Sequence, residues 1–217
     1  MTSASPCSTE QTHRALLEHQ QALRACRACP KMQGPPVHGT ANLSSVLLLG
    51  QAPGVREIEQ LRPFCWTAGK TLFRWFEPLG LNETQFRERV HMSAVCRCFP
   101  GKNPKGGDRV PDALEIEHCT QWWQAELNLL KPQLILAVGK LAISRFMRVG
   151  RLEQVVGRVL PYAYAGGQAD VIPLPHPSGA STWFKMMPGK QLLEQALAEV
   201  AAHPAWQALL DQPGDNR

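Results

Sequence analysis

The sequence predicts an α/β protein, a three-layer α/β/α sandwich around a four-stranded, mainly parallel sheet. Three observations carry this expectation. Unbroken apolar runs, such as Val46-Leu47-Leu48-Leu49 and Leu134–Val138, are strand-length and lack polar alternation, as strands buried on both faces do. Segments with helical spacing of apolar residues lie between them. Glycine and proline punctuate the joins at intervals that suit strand–helix–strand units. The 217 residues suffice for one such domain with its own core.

Taken in order, residues 1–11 read as a flexible N-terminal tail, 12–203 as a single domain and 204–217 as a C-terminal tail. A helix is expected over 12–25, with Leu16, Leu17, Ala22 and Leu23 near helical spacing; it runs into Cys26-Arg27-Ala28-Cys29-Pro30 and the loop Gly34-Pro35-Pro36. Buried strands are expected at Val46–Gly50, 90–95, Leu134–Val138 and 171–174. Thr67 suits the cap of a helix bearing Leu72, Phe76 and Leu79 and stopped by Gly80. Pro111 suits the first turn of another, carrying Leu114, Trp122, Leu127 and Leu130 and ending before Pro132. Helices at 140–147 and Gly189–Ala202 complete the set, the last turning Leu192, Leu193, Ala196, Leu197 and Val200 inward. Residues 101–109 read as an exposed cationic loop.

Composition narrows the class. At 44% hydrophobic and 19% charged residues, a mainly disordered chain is excluded. No apolar run is long enough for a helix to span a bilayer. Residues 1–6 lack the basic and apolar regions of a secretory signal, so a cytosolic protein is expected. The net charge of +5 is compatible with a polyanion partner, though many enzymes share it. Seven cysteines, an odd number in such a chain, argue against a disulfide framework and toward metal ligation or buried thiols.

Open α/β sheets bind ligands beyond the carboxyl ends of their strands. Those ends carry Gly50-Gln51-Ala52-Pro53-Gly54, Cys96-Arg97-Cys98-Phe99-Pro100, Gly139-Lys140 and Pro175-His176-Pro177-Ser178-Gly179. Gly50-Gln51-Ala52-Pro53-Gly54 resembles the first motif of the uracil-DNA glycosylase superfamily, in the form found in its iron–sulfur (family four) branch. His176-Pro177-Ser178 resembles the second motif, and Arg62-Pro63-Phe64 with Ala68-Gly69 resembles a segment of that branch. The resemblance runs from about residue 23 to 200.

It implies roles. Cys26, Cys29, Cys98 and Cys119 match the branch's ligands to a [4Fe–4S] cluster, with a four-cysteine zinc site as the alternative that spacing leaves open and Cys96 able to replace Cys98. Cys7 and Cys65 are expected to be plain thiols. The substrate would be a deaminated base, most simply uracil, flipped from DNA, single- or double-stranded, into a pocket. Gly50, Gln51, Ala52, Phe64, Ser93, Ala94 and His176 would surround it, with Phe64 stacking on the ring. His176 would donate to the base as it departs with negative charge, a preorganised donor of this kind contributing about 3–4 kcal/mol. Gln51 can orient water but cannot take its proton. Pro53, Gly54, Ser178, Gly179, Ala180, Ser181, Trp183 and Lys185 would meet DNA, Trp183 either wedging into the vacated space or packing on the last helix. Lys190, Lys102 and Lys105 are further phosphate candidates. A monomer is expected.

Two departures from the family stand out: Gln51 replaces Glu, and Ser93-Ala94 replaces Thr-Asn, whose amide reads the pyrimidine edge. Ala94 cannot do so, which admits hypoxanthine or xanthine as the target, or a non-catalytic binder of damaged DNA. A nucleotide-handling enzyme is disfavoured, because no phosphate-binding glycine loop follows the first strand.

Overall fold

The computed structural model describes residues 6–179 and 181–212; the terminal segments 1–5 and 213–217, Ala180, and the side chains of Pro6 and Cys7 lie outside the described residues. Among those described, eight α-helices and five strands follow in the order α1 (Pro6–Arg24), β1 (Val46–Gly50), α2 (Val55–Gln60), α3 (Thr67–Phe76), α4 (Glu83–Arg89), β2 (His91–Ala94), α5 (Ala113–Leu130), β3 (Leu134–Val138), α6 (Lys140–Ile143), β4 (Leu160–Tyr164), β5 (Gly167–Leu174), α7 (Gly189–Ala202) and α8 (Pro204–Leu210).

The sheet order is β2-β1-β3-β5-β4. The first four strands run parallel, with Leu48 beside Met92 on one side and Leu136 on the other. β1 and β3 are buried along their whole length, as their apolar runs require. β4 is a fifth strand that the four-strand expectation lacked, and it is antiparallel to β5. Its half-exposed residues and Pro161 suit a sheet edge, where a missing N–H costs nothing. The sheet is therefore mixed. From β1 the chain crosses to β2 on one side and then to β3 on the other, leaving a crevice above the carboxyl ends of β1 and β3.

Several boundaries differ from expectation. α1 begins at Pro6, inside the segment read as a tail. Thr67 is the first helical residue of α3 rather than its cap. Asp112, not Pro111, leads into α5, its carboxylate accepting the Glu115 N–H while Glu115 returns the bond to the Asp112 N–H. Leu114 is exposed on that helix. α6 stops at Ile143, short of Met147. The largest correction concerns 204–217, read as a tail. Residues 204–210 form α8, capped by the His203 ring, which accepts the Ala205 N–H. Trp206 is fully buried, 5.4 Å from the Phe76 ring and donating to the Leu79 carbonyl. Burying a large apolar side chain stabilises by about 1.5–3 kcal/mol, so α8 belongs to the core.

Candidate active site and cysteine cavity

The loop after β1 is built to lie close to its neighbours. The N–H groups of Val95 and Cys96 donate to the Gly50 and Gln51 carbonyls, so the chain leaving β2 stays paired with it. Gly50 lacks a side chain where the Phe64 ring descends; a Cβ there would sit 3.3 Å from the ring. Gln51 spends its side-chain Oε1 accepting the Leu141 N–H at 3.1 Å, capping the start of α6. Gly139, with φ at 90°, leaves room for that amide. Gln51 thus ties β1 to β3 across the crevice.

Phe64 has φ at 50°, in the left-handed region, and is held there from two sides. A Cβ on Gly69 would collide with the Phe64 carbonyl, so only glycine lets the two segments touch. The Arg87 guanidinium, 4.5 Å over the Phe73 ring, donates to the Pro63 and Phe64 carbonyls at 2.7 and 2.9 Å. No sequence signal marks Arg87, which lies more than twenty residues away.

His176 follows β5 by two residues. Its Nδ1 accepts the Ser178 N–H at 3.3 Å, which puts the ring proton on Nε2. Burial pushes its pKa below 6.5, with the charge of Asp108 opposing in part. The ring is therefore a neutral donor near pH 7.

These pieces enclose one cavity of about 770 Å³, lined by Gly50, Gln51, Ala52, Pro53, Gly54, Phe64, Ser93, Ala94, His176, Ser178, Gly179 and Ser181. Trp183 and Lys185 do not line it. Trp183 donates from Nε1 to Glu153 at 2.7 Å and packs against Gly189 at the start of α7, the second of its two expected arrangements. The Lys185 ammonium lies 5.7 Å over the Phe184 ring. Ala180 is outside the described residues. Glu57, Lys102, Asp108 and Arg109 also line the cavity, and sequence reasoning assigned none of them to the base pocket. The 101–109 segment is largely exposed, as expected, and closes as a hairpin: Lys102 and Asp108 pair as strands do, and Arg109 anchors its base by a bidentate bond to Glu115 and a bond to the Pro100 carbonyl.

A second cavity, of about 550 Å³, is lined by Cys26, Cys29, Cys98 and Cys119 together with Arg97. Cys96 does not line it; its thiol lies 3.7 Å from the Glu115 carbonyl. Burial and then neighbouring thiols push Cys29 up to about 11 and Cys98 up to about 12. A bond to Cys119 and burial push Cys96 up further still, while that bond and the charge of Arg97 bring Cys119 down to about 6. Among the described residues no three His, Cys, Asp or Glu side chains are arranged to hold a single metal ion as they stand. The fit to a thiolate-bound cationic group lies in donor chemistry and space: four unbridged thiols face one cavity.

The two cavities share a wall. Arg97, 1% exposed, lines the cysteine cavity and donates through Nη2 to Ser93 Oγ at 2.7 Å and to the buried Glu126 at 2.5 Å. His19 and His91 approach the other Glu126 oxygen at 3.5 and 3.6 Å.

Comparison with known proteins matches residues 36–201 to the uracil DNA glycosylase superfamily. The chain belongs to this superfamily. Within it the similarity is to the type-4 branch. The chain is 30% identical over 156 residues to the type-4 uracil-DNA glycosylase of Pyrobaculum aerophilum, covering 70% of this chain and 74% of that one. It is 30% identical over 161 residues to the type-4 enzyme of Thermotoga maritima, covering 73% and 79%. A type-5 uracil-DNA glycosylase of Pyrobaculum aerophilum is 26% identical over 128 residues, covering 54% of each chain. No helix among the described residues is long and apolar enough to cross a membrane.

Proposed function

We propose that the chain is a monofunctional DNA glycosylase of base-excision repair that hydrolyses the N-glycosidic bond of a flipped uracil and leaves an abasic site. The observation that carries this reading is the convergence of His176, Phe64 and the Gly50–Gly54 loop on one cavity in a chain of this superfamily. The flipped ring stacks on Phe64. As the bond to C1′ lengthens, negative charge spreads onto the base and its O2 accepts from His176 Nε2. A neutral, desolvated imidazole suits this role, because it was oriented before the charge developed. Gln51 holds the pocket wall through Leu141 and does not act as a base. Pro53, Gly54, Ser178, Gly179 and Ser181 face the DNA strand at the cavity mouth, and Lys185 lies near enough in sequence to meet a flanking phosphate.

Cys26, Cys29, Cys98 and Cys119 would hold a [4Fe–4S] cluster, which when bound would tie the residues after α1 to the sheet rim. The scaffold reads as three layers. The usual right-handed crossovers would put α2–α4 on one face of the sheet and α5 on the other, and the contact of Trp206 with Phe76 supports α8 lying with the former. The protein acts on cytosolic DNA.

The test is incubation with a uracil-containing oligonucleotide, followed by hot alkali, beside hypoxanthine, xanthine and thymine-mispair substrates. Multiple-turnover cleavage at uracil is expected, and His176→Ala should lower the single-turnover rate at least tenfold with lesion binding retained. Retention of the oligonucleotide without cleavage would refute the enzyme in favour of a damage binder.

A further inference from the structure

A glycosylase must activate water at C1′, and the loop that leads into this pocket offers only the amide of Gln51, already engaged with Leu141. Two carboxylates reach the same cavity, Glu57 from α2 and Asp108 from the 101–109 hairpin. Both stand against Gly54: a Cβ there would lie 2.9 Å from a Glu57 oxygen and 3.3 Å from Asp108 Oδ2. Their situations differ. Glu57 caps its own helix, accepting the Gly54 N–H at 3.1 Å. Asp108 commits Oδ1 to Lys102 at 2.6 Å, and its Oδ2 is the oxygen turned toward the motif loop.

We propose that Asp108 is a catalytic residue, the carboxylate that receives the proton of the attacking water. This rests on the glycosylase reading above. The hairpin fixes it in place. Lys102 and Asp108 pair across its neck, the Arg109 N–H donates to the Gly101 carbonyl, and the Arg109 guanidinium bonds Pro100 and Glu115. Half of the Asp108 side chain is open to solvent, so water reaches it from the mouth. In the step, a water oxygen forms the bond to C1′ as the bond from C1′ to the base nitrogen breaks. The bonding pair leaves with the base, whose O2 is held by His176, and the water proton passes to Asp108. A carboxylate in this cavity would also favour the positive character that the sugar gains in the same transition state.

The groups facing Asp108 are Lys102 and Arg109 on its hairpin, Glu57 from α2 and His176 from the loop after β5. Lys102 is the cation bonded directly to the carboxylate, at 2.6 Å. The test compares the parent protein with Asp108→Asn and Lys102→Met in single-turnover excision from a uracil oligonucleotide, across pH, beside binding to the same DNA. Expected are a loss of about 100-fold for Asp108→Asn with binding within threefold of the parent, disappearance of the acidic limb of the rate profile in that variant, and an upward shift of the limb in Lys102→Met. An Asp108→Asn rate within threefold of the parent, with the same acidic limb, would overturn the assignment while leaving the glycosylase reading intact. An unchanged limb in Lys102→Met would also count against it. A parent that excises nothing, although it binds the DNA, would remove both.

Discussion

Replacing Glu126 with leucine tests whether the buried ion pair beneath the pocket is a structural necessity. Glu126 is fully buried, and burial alone would raise its pKa; the charge of Arg97 and the proximity of the His19 and His91 rings reverse this and hold the carboxyl well below 4.5. Leucine leaves the Arg97 guanidinium charged in a site 1% exposed, with Ser93 Oγ as its one remaining side-chain partner in that network. Breaking such a pair costs about 3–5 kcal/mol. In a domain of this size each kcal/mol moves the melting midpoint by about 2–4 °C, so a fall of roughly 6–20 °C is expected by circular dichroism. The double variant Arg97→Met/Glu126→Leu removes both charges and should recover most of the loss. The sign with pH follows from the depressed value. The unfolded chain takes up the proton first, so the stabilisation is present above about pH 4.5 and lost as pH falls through the lower folded value. A Glu126→Leu midpoint within about 2 °C of the parent would refute this account, as would a double variant less stable than both singles.

Gly69→Ala should displace Phe64 and lower kcat/KM for uracil excision at least tenfold, since no Cβ fits against the Phe64 carbonyl; parental kinetics would show that the ring position is unimportant. Cys98→Ser should cost iron content, by elemental analysis after anaerobic preparation, while Cys96→Ser should keep it, because Cys98 lines the cavity and Cys96 does not. The reverse result would exchange their roles. Ala94→Asn restores a base-reading amide to the pocket lining and should raise the preference for uracil over hypoxanthine by tenfold or more; an unchanged ratio in paired rate measurements would place the selectivity elsewhere. Because His176 is buried neutral, folding stability should fall as pH drops below 6.5, and His176→Ala should flatten that slope in denaturant titrations.

The central sheet was legible because β1, β3 and the end of β5 are apolar on both faces, and nothing but a buried strand explains such runs at that length. The elements that sequence reasoning missed bury little. α2 buries no residue and α4 only Phe86, so neither shows a helical stripe. β4 alternates between half-buried and exposed residues and contains a proline, which reads as a loop when taken alone. α8 was the avoidable miss: His203-Pro204 is a helix start, and Ala205, Trp206 and Leu209 have the spacing of a buried face.

The site divides along the same physical line. Residues that act through local backbone geometry announced themselves, because glycine and proline in Gly50–Gly54 and around His176 are demanded by tight turns at strand ends. Residues that act across the fold did not. Arg87 reaches Phe64, Leu141 meets Gln51 ninety positions away, and Arg97 joins Ser93 to Glu126. Arg87 and Arg97 are single polar side chains in ordinary contexts and Leu141 offers only its backbone N–H, and these roles exist only once the sheet has brought the loops together. The segment 101–109 is largely exposed and cationic, as its composition predicts, and that its one acid, Asp108, borders the pocket follows only from the hairpin. A motif scan therefore finds the residues whose spacing the strand ends dictate, and the carboxylate that borders the same cavity becomes visible only in three dimensions.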